Sequence, residues 1–302
     1  MQSKTLDEIS FIRPILIFLL VYYHAFCIFD GGWTPILGLE DVIIYKWTDK
    51  LAYSFMLETF FFISGYLFSF QFFELKKESN ILSIIQKKFS RLLLPCWIFG
   101  IVYAALFEQF DSFFSQTIKI ASGIGHLWFL PMLFWCFVFG SICLKKQSVS
   151  ISLLLVFLLL SLFANNPLPL QLNQCMKYFF FFYLGMYLYP NKERIKKTKF
   201  SINIILLWLL FVVLFVAGTF LNEYLTYIKD GSNSFIFRQF IIMIKYAVRL
   251  TYATTGVLCI YLTSLYFTEG KKLHNRYIEF GTYCFGIYIF QQFILNNSSV
   301  KL

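Results

Sequence analysis

The chain has 302 residues, of which 59% are hydrophobic, 22% aromatic and only 14% charged, and its mean hydropathy is +0.68. This composition excludes a soluble domain and is typical of an integral membrane protein. The formal charge of +10 would suit a nucleic-acid-binding protein, but the basic residues fall in short clusters between apolar runs, where they indicate membrane topology instead.

Apolar runs recur along the whole sequence. Because a span needs about 20 largely apolar residues, the pattern predicts an all-α, polytopic transmembrane helix bundle with nine or ten spans in the lipid bilayer. The count is open because the run at 150–164 is short, and the run at 236–268 could hold an interfacial or re-entrant piece before a full span. The predicted spans are 11–29, 52–73, 92–110, 126–144, 150–164, 175–189, 201–227, 236–268 and 279–297.

Basic residues outside the apolar runs predict the orientation. A cytoplasmic N-terminus places most of them, in clusters near 76–91, 145–146, 192–199 and 271–276, in cytoplasmic loops, as the positive-inside rule requires. The polar loops are too short to fold alone and no internal repeat is visible. Residues 1–302 are therefore predicted to form a single integral membrane domain.

Two ionisable side chains, Arg13 and His24, lie in the first apolar run. At about 100° and roughly 1.5 Å per residue they are about 20° apart in azimuth and roughly 16 Å apart along a helix, so they share one face. Membrane helices usually keep such residues for function. Arg13 could bind a phosphate group near the cytoplasmic boundary, or it could be a snorkelling arginine at the end of a helix.

His24 is a candidate centre for acyl transfer. An imidazole can remove a proton from a hydroxyl group, or it can carry an acyl group itself. The alternative is a histidine that hydrogen-bonds a neighbouring helix and serves only packing. The residues next to His24 leave both interpretations open.

A carboxylate, Glu58, lies in the second predicted span, where an uncompensated charge is costly. It could orient or charge His24, or it could pair with Arg13 or Lys177. The pair Ser64–Gly65 follows in the same run. A catalytic serine there would lack a base, so this pair is predicted to allow a tight contact between helices.

A basic cluster, Lys87, Lys88 and Arg91, precedes Pro95, which is predicted to lie in the first turn of the third span. Basic residues at the start of a helix suit the phosphate groups of a soluble donor. The same cluster could instead be a topology signal that contacts anionic lipid.

Polar residues also mark two later spans. His126 and Trp128 lie at the predicted outer boundary, where Trp128 fits an aromatic belt and His126 is either a contact to an acceptor or an interfacial cap. Lys245, Arg249 and Tyr252 recur at spacings of four and three, so they share one helical face. A cationic stripe in an apolar run is predicted to line a polar cavity.

Seven cysteines lie almost all within apolar runs and show neither CxxC nor Cys/His spacing. This pattern is typical of small buried side chains, and it predicts no metal cofactor. The sequence also has no glycine-rich phosphate loop and no nucleic-acid-binding module, so no nucleic-acid partner is expected.

Taken together, these stretches resemble the acyltransferase 3 family of integral membrane O-acyltransferases, which modify bacterial surface glycans among other acceptors. The matching stretches run in family order over nearly the whole chain. They are Arg13 with His24, residues 61–67, Lys88 with Arg91 before Pro95, residues 126–130, residues 183–186, and residues 281–290, which include Ile287, Tyr288 and Ile289.

The resemblance implies that an acyl group, expected to be acetyl, moves from cytoplasmic acyl-CoA to a hydroxyl of a cell-surface or exported polysaccharide. The protein would lie in the bacterial inner membrane. His24 would be the essential transfer residue, with Glu58 as its candidate partner. The expected contacts to the acyl-CoA donor are Arg13, Lys87, Lys88 and Arg91, and those to the glycan acceptor are His126, Trp128, Lys245, Arg249, Tyr288 and Gln291.

The sequence departs from the family pattern in two places. The last helix of the family often ends its tyrosine motif with a histidine and a proline, whereas this chain has Gln291, Gln292 and Phe293. Gln291 can hydrogen-bond but cannot shuttle a proton. Glu58 occupies a position that is usually uncharged. Some relatives also carry an extracytoplasmic hydrolase-like domain, which this chain lacks, so either the bundle acts alone or a separate extracytoplasmic transferase completes the reaction.

Two other classes of protein fit part of the pattern. A multi-pass transporter or flippase for a glycan or lipid-linked precursor would also place His24, Glu58 and Lys245 in a polar core. A structural membrane protein would use these side chains only to pack helices. Transporters are often built from two similar halves, which this sequence does not show, and the ordered motifs favour the acyltransferase.

Overall fold

The structure, a computed structural model of the chain, describes residues 6–29, 42–75, 80–107, 113–145, 150–162, 171–196, 201–270 and 273–299. Every regular element in these ranges is helical, which confirms the all-α prediction. Some of the basic residues used to predict the orientation, among them Lys76, Lys77 and Lys271, lie outside the described residues.

Thirteen α-helices form in the described ranges. A π-helical turn, Phe89–Leu93, joins α4 to α5, and a 3₁₀ turn, Gly125–Trp128, precedes α7. The helices are α1 (Asp7–Phe26), α2 (Ile43–Tyr53), α3 (Met56–Phe73), α4 (Ile81–Lys88), α5 (Leu94–Phe107), α6 (Phe113–Ser122), α7 (Phe129–Lys145), α8 (Ile151–Leu162), α9 (Leu172–Leu188), α10 (Lys192–Lys196), α11 (Ser201–Asp230), α12 (Phe235–Thr268) and α13 (Asn275–Ser299).

Several of these helices are suited to a membrane. Within the described residues, six helical stretches are long and apolar enough to cross a bilayer: Asp7–Phe26, Ile43–Phe73, Ile81–Phe107, Gly125–Leu144, Ile204–Asp230 and Phe235–Thr268. The three remaining predicted segments also contain helices, α8, α9 and α13. The total of nine or ten spans and the cytoplasmic N-terminus stay predictions.

The helical stretch of the second predicted span, 52–73, begins earlier than the sequence indicated. It starts at Ile43, and the chain turns at Ser54 before α3 begins. Charged residues lower the hydropathy of α2, but this helix packs on α1, where the hydroxyl groups of Tyr22 and Thr48 lie 2.6 Å apart. Tertiary contact therefore stabilises a helix that hydropathy alone does not mark.

The start predicted for the third span, 92–110, is wrong. The helical stretch begins at Ile81, where the side chain of Asn80 accepts a hydrogen bond from the Leu82 N–H group at 3.1 Å and caps α4. The polar residues of α4 had suggested a loop. They lie instead on a helix that continues without a break into α5.

The π-helical turn has a cause in the sequence. Pro95 lies inside this helical stretch, where it cannot donate a hydrogen bond to the carbonyl group of Arg91 and its ring would press against that group. The chain widens by one residue just before the proline, so that the Leu94 N–H group donates to the Phe89 carbonyl group. Such a π turn changes the direction of the side chains that it carries.

The long run at 236–268 forms a single helix, α12, of 34 residues, so the alternative of a re-entrant piece that breaks before the span is wrong. At roughly 1.5 Å per residue such a helix is about 50 Å long, and the hydrocarbon core of a bilayer is about 30 Å thick. This length leaves room for an interfacial piece at one end of α12, which stays a prediction.

The described helices group into two compact units. The first comprises Met1–Phe60 and Arg194–Leu302, and the second comprises Phe61–Glu193. In the first unit α11 and α12 pack along each other as a hairpin, and α1 packs against α2, α12 and α13. In the second unit α9 packs against α7 and α8, and α4 packs against α7.

Two glycines bring α3 and α9 together in the second unit. A Cβ atom added to Gly65 would overlap the carbonyl group of Phe182, and one added to Gly185 would overlap the carbonyl group of Phe62. One turn farther on, the Ser69 hydroxyl donates to the Met186 carbonyl group at 3.1 Å. The predicted tight contact at Gly65 is therefore present, and its partner is the glycine of the 183–186 stretch.

We expect Gly65→Ala to destabilise the protein by several kcal/mol, on the order of an overpacked core site, because the backbones of α3 and α9 cannot separate without losing their contact. Gly286→Ala, on α13, is the matched control. Nothing lies within 4 Å of a Cβ atom at Gly286, so this change should leave stability equal or raise it by up to about 1 kcal/mol. Thermal unfolding of the purified protein in one detergent measures both, and equal stability of the two variants would contradict the close crossing.

Candidate active site

His24 lies near the end of α1 and is buried, with 9% of its surface exposed. It continues the buried side of the helix, which includes Leu20 one turn earlier. Its ring is edge-on to the ring of Tyr23 at 5.2 Å, and Tyr23 stacks on Tyr53 of α2 with the ring centroids 4.5 Å apart. The histidine is thus held in an aromatic corner between α1 and α2.

Arg13 lies on the same continuous helix as His24 and is half-buried. Since α1 is uninterrupted between them, the shared face expected from the spacing is retained. Arg13 lies near Cys284 on the neighbouring helix α13. The hydroxyl of Tyr277 on α13 donates to the Phe11 carbonyl group at 2.6 Å and fixes this contact between the two helices.

Glu58 forms a buried ion pair with Arg249. The Arg249 guanidinium donates from Nη2 to Glu58 Oε1 at 3.1 Å, and the two side chains are 28% and 3% exposed. The second carboxylate oxygen, Oε2, has no hydrogen-bond partner among the described residues. Of the roles considered from the sequence, the structure therefore gives Glu58 a salt bridge, and its partner is Arg249 in place of the expected Arg13 or Lys177.

The same guanidinium connects this ion pair to the aromatic corner of His24. The Cζ atom of Arg249 lies 4.8 Å from the centre of the Tyr53 ring, in cation–π contact. Tyr53 in turn stacks on Tyr23, the neighbour of His24. A continuous series of contacts therefore runs from Glu58 through Arg249 and Tyr53 to Tyr23, the residue beside the histidine.

A polar cavity of about 230 Å³ opens beside this series in the first unit. Residues of α2, α11 and α12 line it, and the predicted stripe of Lys245, Arg249 and Tyr252 forms one wall, as expected from their spacing. The remaining lining residues are Lys50, Tyr53, Ser54, Phe215, Thr219, Asn222, Glu223 and Thr226.

The charges in this cavity are partly compensated. Lys50 Nζ lies 2.9 Å from Glu223 Oε1, and Arg249 is paired with Glu58. Lys245 donates to the Thr226 hydroxyl at 2.5 Å and has no carboxylate within salt-bridge distance among the described residues. The cavity therefore keeps one positive charge in excess.

The sequence had not indicated the α11 side of this cavity. Thr219, Asn222 and Thr226 follow each other at spacings of three and four, so they share one helical face in an otherwise apolar run. That spacing is the signal that could have revealed them. It is the counterpart on α11 of the stripe that was recognised on α12.

The last helix, α13, carries the two candidate acceptor contacts Tyr288 and Gln291. Tyr288 is half-buried, with its ring stacked on Phe285 at 6.4 Å. Gln291 is 5% exposed, and neither atom of its amide has a hydrogen-bond partner among the described residues. A buried amide without partners is costly, so Gln291 is suited to hydrogen-bond a ligand or water.

In the second unit, Lys87, Lys88 and Arg91 line a cavity of about 210 Å³ with residues from the end of α3 and from α4. No aspartate or glutamate lines it among the described residues. The ammonium group of Lys88 lies 3.4 Å from the centre of the Phe137 ring. The three basic residues lie in the middle of a helical stretch. The expectation that they open a helix, and thereby offer the free N-terminal amide groups of a helix to a phosphate, is therefore wrong.

His126 and Trp128 lie in the 3₁₀ turn before α7, also in the second unit. His126 is buried, with its ring edge-on to Tyr103 of α5 at 6.2 Å, and Trp128 is half-buried. The turn follows Gly123, whose φ of +88° is readily adopted only by glycine. His126 is thus part of a packed turn, and its role toward an acceptor stays a prediction.

No group of three His, Cys, Asp or Glu side chains is close enough to hold a metal ion in the part of the chain that the structure describes. The polar groups that line the cavity of the first unit are charged side chains, hydroxyl groups and the Asn222 amide. These groups can bind and orient a substrate, and an imidazole such as that of His24 can accept a proton.

Arg249→Gln should lower the free energy of unfolding by about 3 kcal/mol, because it leaves the Glu58 carboxylate buried without its counter-charge. Glu58→Gln should lower the free energy of unfolding by less, because Arg249 is partly exposed and water can solvate its guanidinium. The double variant should be more stable than Arg249→Gln alone. Thermal unfolding in detergent measures all three, with Arg238→Gln, an exposed position of α12, as control. Strictly additive losses would show that the pair is not coupled.

Comparison with known proteins supports the resemblance. No curated protein and no solved structure matches the chain. A family model described as an acyltransferase domain matches residues 6–300, nearly the whole sequence. The match includes both compact units and every candidate site residue described above. The chain therefore belongs to the acyltransferase 3 family, and it is a membrane acyltransferase.

Proposed function

We propose that the protein is an O-acetyltransferase of the bacterial inner membrane, which takes an acetyl group from cytoplasmic acetyl-CoA and transfers it to a hydroxyl of a cell-surface or exported polysaccharide. The observation that carries this proposal is the position of His24. It is buried beside a stacked pair of tyrosines, one of which, Tyr53, lines a polar cavity. An imidazole can accept the proton of a sugar hydroxyl, and the hydroxyl groups and the Asn222 amide of the cavity can hydrogen-bond the rest of the sugar.

The proposed reaction needs one proton acceptor. His24 removes the proton of the acceptor hydroxyl, whose oxygen then bonds to the carbonyl carbon of the thioester. The carbon–sulfur bond breaks, and the coenzyme A thiolate takes up a proton, so the products are the acetyl ester and free coenzyme A. The alternative to this direct transfer has two steps, in which the acetyl group passes first to the His24 imidazole and then to the hydroxyl.

The donor site that we propose includes the basic cavity of the second unit. Coenzyme A carries several phosphate charges, and Lys87, Lys88 and Arg91 present cations in a cavity where no described carboxylate competes. The predicted orientation places the loop between α3 and α4 in the cytoplasm, where acyl-CoA is found. Arg13, near the start of α1 in the first unit, is proposed separately as a contact to the donor, because the predicted orientation places that end of α1 on the cytoplasmic side.

The acceptor site that we propose is the polar cavity of the first unit, with Lys245 and Arg249 in its wall. The predicted orientation places the end of α1 and the hairpin end of α11 and α12 at the outer face. Tyr288, Gln291, His126 and Trp128 are proposed as further acceptor contacts. A separate extracytoplasmic transferase remains part of the proposal where the final acceptor lies beyond the membrane surface.

His24→Ala should lower acetyl transfer by about 100-fold or more, because it removes the proton acceptor of the reaction. The measurement uses purified protein, labelled acetyl-CoA and candidate polysaccharide fragments. His274→Ala is the matched control, since His274 is exposed before α13 and should not affect transfer.

Equal acetylation by wild type and His24→Ala would remove His24 from the mechanism. Passage of intact glycan through proteoliposomes without acetylation would favour the transporter. Label retained on the wild type but not on His24→Ala, in the absence of acceptor, would identify the imidazole as the acyl carrier.

Arg91→Gln and Arg13→Gln should each weaken acetyl-CoA binding by about tenfold, the effect of losing one charge-assisted hydrogen bond to a phosphate. Affinity for glycan fragments should stay nearly unchanged. Equilibrium binding of labelled coenzyme A measures the effect, with Arg194→Gln on the exposed side of α10 as control. Unchanged coenzyme A affinity in both variants would exclude the proposed donor site.

A further inference from the structure

The polar cavity of the first unit holds an unequal set of charges. Lys50 and Arg249 are each paired with a carboxylate, Glu223 and Glu58. Lys245 has only the Thr226 hydroxyl as its hydrogen-bond partner in the described chain. The nearby residues Lys229 and Asp230 form their own pair, with Nζ 3.2 Å from Oδ1. One ammonium group in the wall therefore lacks a counter-charge.

The cavity also contains a buried hydrogen-bond acceptor that is not satisfied. Asn222 lines the cavity, and its Oδ1 atom has no hydrogen-bond partner among the described residues. A buried acceptor of this kind costs free energy unless a ligand or water donates to it. Asn222 lies one helical turn from Thr226, the partner of Lys245, so the acceptor and the excess cation belong to the same part of the cavity.

Aromatic rings complete the lining. The rings of Phe215 and Tyr252 border the cavity beside Tyr53, which is already stacked on Tyr23 and in contact with Arg249, and Ser54 and Thr219 add hydroxyl groups. Aromatic faces combined with small polar groups are typical of sites that bind sugar rings, which have apolar C–H faces and a rim of hydroxyls. The hydroxyls of a sugar can also donate to Asn222 Oδ1.

We propose that this cavity selects an acidic saccharide, one that carries a carboxylate or phosphate group, and that Lys245 is the specificity-determining residue for that negative charge. This inference rests on the proposed function, because it takes the cavity as the acceptor site. The acidic group pairs with the Lys245 ammonium, and a neighbouring hydroxyl donates to Asn222. Arg249 and Lys50 shape the wall but add no net charge.

An anionic lipid headgroup would satisfy Lys245 but fits the remaining lining less well. The phosphodiester itself has acceptor oxygens and no O–H group, so a donor to Asn222 Oδ1 would have to come from the rest of the headgroup, whereas a sugar ring carries hydroxyls on most of its carbons.

The test measures binding without transfer. The full-length His24→Ala protein, in nanodiscs of zwitterionic lipid and without donor, is titrated with oligosaccharides matched in length and linkage. One set is neutral, one contains a hexuronate and one contains a sugar phosphate. We expect at least one of the acidic sets to bind about tenfold more tightly than the neutral set, with the preference decreasing as salt is added.

In the His24→Ala protein, the further change Lys245→Gln should reduce the preference for the acidic oligosaccharides to about twofold or less. The change Lys245→Arg keeps the positive charge and should retain the preference. Arg238→Gln is the matched control, because it removes an exposed basic residue of α12 that lies outside the cavity lining. The preference of this control variant for acidic oligosaccharides should equal that of the His24→Ala protein. The thermal unfolding midpoint of each variant shows that it is folded.

Several outcomes would overturn the inference: equal affinity for neutral and acidic oligosaccharides, no binding of either acidic set at millimolar concentration, or a preference that survives Lys245→Gln. Displacement by anionic lipid without saccharide binding would assign the cavity to a headgroup instead. Transfer by the wild-type enzyme to acidic and neutral acceptors alike, with equal affinity, would refute this inference while leaving the acetyltransferase proposal intact.

Discussion

The ion pair between Glu58 and Arg249 is the constraint on which the first unit is organised. A carboxylate that is 3% exposed cannot remain charged in an apolar interior without a counter-charge. That need ties the first turn of α3 to the middle of α12, and it holds the guanidinium 4.8 Å from the centre of the Tyr53 ring. Because Tyr53 stacks on the neighbour of His24, one electrostatic requirement also determines the aromatic corner that holds the histidine.

The second unit is held by a different kind of contact. Gly65 and Gly185 let two helix backbones meet, and the buried side chains around them are mainly aromatic and aliphatic. In a membrane, where lipid is as apolar as a leucine side chain, such close backbone packing replaces the hydrophobic effect as the reason for helices to associate. The basic residues Lys87, Lys88 and Arg91 do not lie on these two helices but at the π turn that Pro95 imposes and on the last turn of α4.

The helical period in the sequence was sufficient for features that lie on one helix. It predicted the all-α fold, the shared face of Arg13 and His24, and the cavity wall made by Lys245, Arg249 and Tyr252. It could not select the partner of Glu58, since 191 positions separate the two residues and several basic residues were equally suitable. The start of the Ile81–Phe107 stretch was also predicted in the wrong place. A proline inside a helix and a proline in its first turn cannot be told apart from the sequence, because only the surrounding hydrogen bonds distinguish them.

The two cavities differ in the charged residues that line them, and this difference is the reason for the roles that we propose. The cavity of the second unit is lined by three basic residues, Lys87, Lys88 and Arg91, and by no described carboxylate, which suits the proposed donor with several phosphate charges. In the cavity of the first unit, Glu58 and Glu223 pair with two of three cations, so the wall keeps its hydrogen-bond donors but attracts only one negative charge. The proposed sugar with a single acidic group satisfies such a wall. A polyanion would leave most of its charge without a partner there, and we therefore propose this cavity for the acceptor and not for the donor.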